Sequence, residues 1–315
     1  MDGRDAWETT RPPTATIAAL VIADHEAPDA AAAISATTAR LLGRVDWAAA
    51  PAQLEARGPI HLIAADCEGT DDAALVNALP RINQFARDND ARLVATLAST
   101  QVDLVAANLF GPNVELLCAP SLAERVAAYA PSLSQPRRDR LFDSAREVET
   151  VRLRRLNEEI ARIAETLARL SQIENTDPAR SRVADRGSTY TPQPAANDLP
   201  AISPRDVRGA IRARRLRDQY FDMGLFEDPA WDILLDLFAA ELERVQVSVS
   251  SLCIAAAVAP TTALRWIAKM SEAGLLTRVP DPFDRRRAFM ELAPPASEAM
   301  RGYLGGLKRA GLAML

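Results

Sequence analysis

Chemistry in this chain can come from three sets of side chains. Asp24 follows the apolar β-type run IAALVIA (17–23), Asp66 ends the run IHLIAAD (60–66), and Thr96 or Ser99 offers a hydroxyl at the end of a third, ARLVATL (91–97). Carboxylates gathered at strand ends beside a hydroxyl can bind Mg²⁺, and one of them can then accept a phosphoryl group. The second set, Pro260, Thr261, Thr262, Arg265 and Lys269, opens a helical segment. Hydroxyls and guanidinium groups there match the donor and acceptor edges of bases in a major groove. The third set, Arg285, Arg286 and Arg287, concentrates charge at the turn of a hairpin pattern, a place from which guanidinium groups reach phosphates or a minor groove.

Other chemistry lacks its pattern. Cys67, Cys118 and Cys253 lie in apolar runs without CxxC or Cys/His spacing, as buried thiols of a reducing compartment do. His25 and His61 have no neighbours that would complete a zinc site. No GxGxxG follows the first strand, and no nucleophile–base pair or phosphate loop accompanies Asp24 and Asp66. Neither an enzyme nor a cofactor is expected.

These side chains need elements to hold them, and 315 residues are enough for two or three domains. With 48% apolar and 25% charged residues, wholesale disorder is excluded. The net charge of −5 hides an asymmetry: residues 1–136 carry 9 basic and 17 acidic side chains (−8), whereas residues 201–315 carry 16 and 14 (+2). Nucleic-acid contact is therefore expected from the C-terminal part. The polar opening MDGRDAWETTRPP and the short apolar run after it fit neither a signal segment nor a membrane span, so a cytoplasmic protein is expected.

Along the first 130 residues, short apolar runs alternate with Ala/Leu-rich helical stretches. A strand at 17–23 precedes a helix over PDAAAAISATTARLL (28–42). A second strand is expected near Arg44–Ala48, then helix PAQLEARG, strand 60–66, and a helix in which Pro80 kinks or divides the element. Strand 91–97, helix TQVDLVAANLF, strand VELLCA (114–119) and helix SLAERVAAYA complete five βα units. Continuous apolar strands between helices indicate a three-layer α/β fold around a parallel sheet.

Beyond Pro136, Leu153, Leu156, Ile160, Ile163, Leu167 and Leu170 recur at spacings of 3 and 4, a heptad seam that suits a homodimeric coiled coil or a single amphipathic helix. Residues 174–202 are polar and proline-rich and read as a flexible tether that lets the two halves move semi-independently. SPRDVRGAIRARRLRDQYF then starts a helix, with Ser203 as N-cap, whose arginines could flank DNA phosphates, bridge subunits or simply be solvated. DPAWDILLDLFAAELE (228–243) supplies a core helix. SVSSLCIAAAVA (248–259) and PTTALRWIAKMSEAGLL (260–276) form two helices joined too tightly to lie antiparallel, as in a helix-turn-helix. Leu264, Ile267, Ala268 and Met270 are expected to be buried there, Thr261, Thr262, Arg265 and Lys269 to be exposed, and Trp266 to join either group. LTRV, PDPFDRR and AFMEL read as strand, turn and strand.

The stretch from DPAWDILLDLFAAE through TTALRWIAKMSEAGLLTRVPDPFDRRRAFMEL resembles the winged-helix domain of MarR-type regulators, above all in DPxDRR preceded by GLL. The resemblance covers about a quarter of the chain. It implies a recognition helix over 261–273, wing roles for Asp284 and Arg286, and dimers on near-palindromic DNA. The long N-terminal extension departs from that family, so its small-ligand regulation is not carried over. The five βα units of residues 15–130 resemble a response-regulator receiver, with Asp66 as phosphoacceptor and Asp24 as acidic neighbour. The family's lysine is replaced by Cys118, Ala119 and Pro120, which implies a degenerate receiver.

The expected chain is thus multidomain. It comprises a disordered tail (1–14), a receiver-like α/β domain (15–131), a dimerisation helix (136–173), a linker (174–202) and a winged helix-turn-helix (203–315). Double-stranded DNA, a second copy and a protein bound to the N-terminal domain are its expected partners, and no membrane is. A protein-interaction adaptor and a phosphorylation-dependent regulator are the alternatives.

Overall fold

The computed structural model describes residues 17–130, 201–221 and 225–312. The expected tail (1–14), the dimerisation helix (136–173) and nearly all of the linker lie outside the described residues.

The N-terminal domain is a five-stranded parallel sheet in the order β2-β1-β3-β4-β5. Its strands are β1 (Ala18–Ile22), β2 (Arg40–Val45), β3 (Leu62–Asp66), β4 (Arg92–Leu97) and β5 (Val114–Cys118). Helices α1 (Pro28–Ser35), α2 (Ala50–Ala56), α3 (Asp72–Asp88), α4 (Val102–Asn108) and α5 (Leu122–Tyr129) connect and follow them. Period-2 alternation divides the strand side chains between two cores. Leu20, Ile22 and Ile63 meet Trp47, Leu54, Leu75 and Leu79 on one face. Ala19, Val21 and Leu62 meet Ala30, Ile34 and Tyr129 on the other. The expected three layers are present. The order reverses between β1 and β3, so Asp24 and His25 just after β1 and Asp66 at the end of β3 lie beside the switch point, where open α/β sheets bind ligands.

Two local readings are corrected. The helix expected over 28–42 stops at Ser35, because the Thr37 hydroxyl donates to the Ile34 carbonyl (2.6 Å) and accepts from the Ala39 amide (3.2 Å), turning the chain. The second strand therefore starts at Arg40 and ends at Val45, earlier than the expected 44–48. Pro80 lies inside α3 without dividing it.

The C-terminal domain begins with α6 (Pro204–Leu216), where Ser203 is the N-cap, as expected, and forms a reciprocal cap with Asp206. α7 (Pro229–Glu243) buries Ile233, Leu235, Leu237 and Phe238. Strand β6 (Val247–Ser248) leads into α8 (Val249–Ala255) and α9 (Pro260–Glu272). The hairpin β7 (Leu276–Pro280) and β8 (Ala288–Leu292) and the helix α10 (Pro294–Arg309) complete the domain. The sheet is antiparallel, in the order β6-β8-β7. α9 ends at Gly274, whose φ of +71° is the left-handed conformation a glycine adopts at least cost.

The two domains belong to one compact unit. α9 packs on β5, and α8 on α4. A single apolar cluster runs from Leu104 and Leu116 of the α/β domain to Leu252, Ala263 and Leu264 of the C-terminal domain. The semi-independent halves expected from the linker are thus held in contact, by residues that periodicity within either half does not pair.

Candidate nucleic-acid interface

The chain bends by 109° between α8 and α9, within the range of helix-turn-helix pairs. With β7 and β8 following directly, the C-terminal domain is a winged helix. Leu264, Ile267 and Met270 form the buried face of α9, as expected, while Ala268 and Trp266 are half-buried. The Lys269 ammonium sits 4.8 Å from the centre of the Trp266 ring, which holds both side chains against the helix.

The wing tip is set by aspartates. Asp281 accepts from the amides of Phe283 (2.9 Å) and Asp284 (3.3 Å), and Asp284 accepts from the Arg286 amide (2.9 Å). These Asx-type bonds hold Arg285, Arg286 and Arg287 outward and exposed. Phe283 is 97% exposed at the tip, a position for which its place between Pro282 and Asp284 was the available signal.

Thr261 departs from expectation. Expected on the exposed face, it is 5% exposed, because its hydroxyl accepts from the Cys118 amide (3.0 Å) and donates to the Cys118 carbonyl (3.3 Å) on β5. Arg265 also reaches β5, where its Nε and Nη2 lie 2.8 and 2.7 Å from Glu115 Oε1. Thr262 is half-buried. On the wing, Arg286 Nη1 is 3.6 Å from Asp72 Oδ2, and the Arg285 carbonyl accepts from Asn108 Nδ2 (3.3 Å). At α8, Asp103 accepts from the Ser250 amide (2.8 Å) and hydroxyl (2.6 Å). Arg278 donates to the last carbonyls of α4, Ala106 and Ala107, and burial lowers its pKa. Ser250, Arg278, Asp103 and Glu115 were not singled out from the sequence, whose spacing carries no trace of pairs separated by well over a hundred positions.

The basic helix α6 holds its own domain together. Arg208 binds Glu243 and Asp236, and its hydrogen bond to Glu243 above all keeps the guanidinium charged. Arg214 and Arg215 converge on the buried Asp232, at 2.9 and 3.2 Å, and Arg215 also donates to the Ala255 carbonyl. Arg205 and Arg212 remain exposed.

At the switch point the two carboxylates, Asp24 and Asp66, take separate partners. Asp24 caps the turn after β2 by accepting from the Trp47 amide (2.9 Å). Asp66, 4% exposed, has Arg125 Nη1 and His25 Nε2 each 3.6 Å from Oδ2. Arg125 also donates to the Thr96 hydroxyl (3.2 Å). Ser99, itself exposed, opens a 3₁₀ turn. A cation therefore does face Asp66, but it comes from α5 and not from the Cys118–Pro120 stretch where the missing lysine was noted. The available signal was the register of Arg125 with Ala128 and Tyr129, which places a charge on the inward face of α5. Burial pushes the Tyr129 phenol beside it up to about 12. Among the described residues no cluster of His, Cys, Asp or Glu is arranged to hold a metal ion, and no single helix is long and apolar enough to cross a membrane.

No protein-family model and no curated protein matches the sequence. Among solved structures, MepR of S. aureus bound to ethidium bromide aligns at 14% identity over 34% of this chain and 74% of its own, with a TM-score of 0.25. The heme sensor protein PefR from Streptococcus agalactiae in complex with heme aligns at 15% identity over 33% and 69%, with a TM-score of 0.23. The transcriptional regulator Tm0710 from Thermotoga maritima aligns at 23% identity over 33% and 70%, with a TM-score of 0.21. At these scores the superpositions add nothing to the winged helix read from the helices and strands themselves.

Proposed function

We propose that this protein is a transcription regulator that reads double-stranded DNA through α9 and the β7–β8 wing. The observation that carries the reading is the 109° pair α8–α9 leading directly into a wing that holds three exposed arginines outward. Thr261, Thr262, Arg265 and Lys269 are the groove-facing set, and Arg285, Arg286 and Arg287 the phosphate set. Phosphate contacts supply most of the affinity and its salt dependence, and the groove contacts supply sequence choice.

The heptad seam of 136–173 supports a homodimer, which would read two half-sites related by a twofold axis. The MarR-type resemblance and a cytoplasmic location belong to the same reading. The α/β domain is proposed as a degenerate receiver: Asp66 is occupied by Arg125, and Asp24 is committed to a loop. Genome-wide DNA selection with purified protein, comparing wild type with R285A/R286A/R287A at fixed salt, tests the function. A near-palindromic motif that the variant binds weakly is the expected result, and no enrichment by folded wild-type protein overturns it.

One observation favours a second reading. The expected reading face is docked on the chain's own α/β domain, as suits an adaptor whose winged helix contacts protein. Enrichment of a partner but no DNA would select it.

A further inference from the structure

The proposed DNA-reading face is occupied from within, and the occupying groups are carboxylates. Glu115 holds Arg265, Asp72 faces Arg286, and Asp103 takes both the amide and the hydroxyl of Ser250. Guanidinium groups, hydroxyls and first-turn amides are the donors that DNA phosphates accept from. Thr261, at the end of α9 that would enter a groove, is at the same time sealed onto Cys118.

We propose that the α4–β5 face of the α/β domain, together with Asp72 of α3, is a built-in competitor of DNA. Its carboxylates stand in for phosphates, so that a duplex binds only by displacing them. The inference rests on the DNA-reading function proposed above.

Charge supports the assignment, because residues 1–136 sum to −8 and residues 201–315 to +2 in the sequence. So does position. Arg265 and Thr261 cannot bind β5 and a duplex at once, and the contacts fall on residues that sequence reasoning assigned to DNA. The strength of the seam also suits a reversible contact. Arg265 and Arg286 keep about half of their side-chain surface in water, at 47% and 57%, and ion pairs so exposed are weak one by one. Domain interfaces within a chain commonly open and close. A closed form that dominates by ten- to a hundredfold lowers apparent DNA affinity by about the same factor.

The test uses the full chain and two readouts. One is affinity for a pool of random-sequence DNA duplexes at fixed low salt. The other is hydrogen exchange at the Cys118 and Ser250 amides, which donate across the seam. The triple variant Asp72→Asn/Asp103→Asn/Glu115→Gln keeps side-chain shape and removes the charges. It should bind the pool about ten- to a hundredfold more tightly than wild type, with faster exchange at both amides. In wild type, saturating duplex should speed exchange at Cys118, an amide on β5 outside the DNA-reading domain.

A variant with deprotected amides but unchanged affinity overturns the inference and leaves the DNA-reading function standing. So does a wild-type complex in which Cys118 stays protected. Should the substitutions leave the seam closed, that wild-type measurement decides alone. If the variant is deprotected and neither protein binds the duplexes, the DNA-reading function itself falls, and the inference with it.

Discussion

Arg265 of the α9 helix holds Glu115 of the β5 strand through both Nε and Nη2, at 2.8 and 2.7 Å, across a sequence separation of 150 residues. Glu115 also pairs with Arg92 inside its own sheet, so the carboxylate is positioned before α9 arrives. The two partners of this bond have opposite expected effects on function. Arg265→Ala should weaken specific DNA binding by about 1–3 kcal/mol and relax sequence preference, because it removes a donor proposed to face the groove. Glu115→Gln, which weakens the same bond from the other side by removing its charge, should strengthen binding. Fluorescence anisotropy on one duplex at one salt concentration compares them, and a loss of affinity from Glu115→Gln would contradict the placement of this residue outside the DNA surface.

The pair Asp66 and Arg125 is the most buried ionic contact of the α/β domain, with each side chain 6% exposed. Removing one member strands a charge in a site of low dielectric. Arg125→Met should destabilise the domain by about 3–5 kcal/mol, and the double variant Arg125→Met/Asp66→Asn should recover a large part of that loss. Urea unfolding of the three proteins gives the comparison. Equal stability of wild type and Arg125→Met would mean that the carboxylate finds another partner.

In the winged helix the matching position is Asp232, 5% exposed between Arg214 and Arg215. Asp232→Ala should cost about 3 kcal/mol, since it leaves the nearly buried Arg214 with only the more distant Asp228 (3.8 Å). A fall in thermal midpoint should therefore accompany any loss of DNA binding by this variant. Loss of binding at full stability would instead assign the α6 arginines to DNA.

Alkaline pH should loosen the protein through groups buried in neutral form. Burial above all pushes the Cys253 thiol from 9.0 up to about 12, and burial raises the Tyr129 phenol from 10.0 to about 12. A raised pKa means that the unfolded chain loses its proton first. The stability these groups contribute is complete below about pH 9 and is lost as pH rises towards 12. Burial likewise raises Cys67 and Cys118, so native protein should react slowly with iodoacetamide at pH 8 and quickly once unfolded. Fast labelling of Cys253 in folded protein would contradict its burial.

What the sequence disclosed and what it withheld follow a physical line. Apolar runs and Ala/Leu-rich stretches placed four of the five parallel strands, because strands buried in a sheet covered on both faces are apolar; β2, an edge strand with exposed Arg40 and Arg44, was expected several residues too late. DPFDRR exposed the wing, because aspartates there bond to the following amides. The end of α1 was misread because Thr37 interrupts an alanine-rich segment through hydrogen bonds that composition does not display. Arg125 was passed over because a charge on a short helix ordinarily faces water. The seam between β5 and α9 was invisible, because Glu115 is unremarkable within its strand and Arg265 reads from its own helix as a groove donor, and only contact reveals that they pair.

β5 lies at the margin of its sheet, with β4 on one side and, among the described residues, no strand on the other. Along its outer side, the Thr261 hydroxyl satisfies both the amide and the carbonyl of Cys118. A helix thus does the work of the absent sixth strand. Letting go of α9 would leave hydrogen-bonding groups of a sheet edge unpaired, and such edges recruit strands from other chains. Release of the winged helix therefore carries a solubility hazard, one that grows with protein concentration and that bound DNA, by supplying charge and bulk, would help to contain.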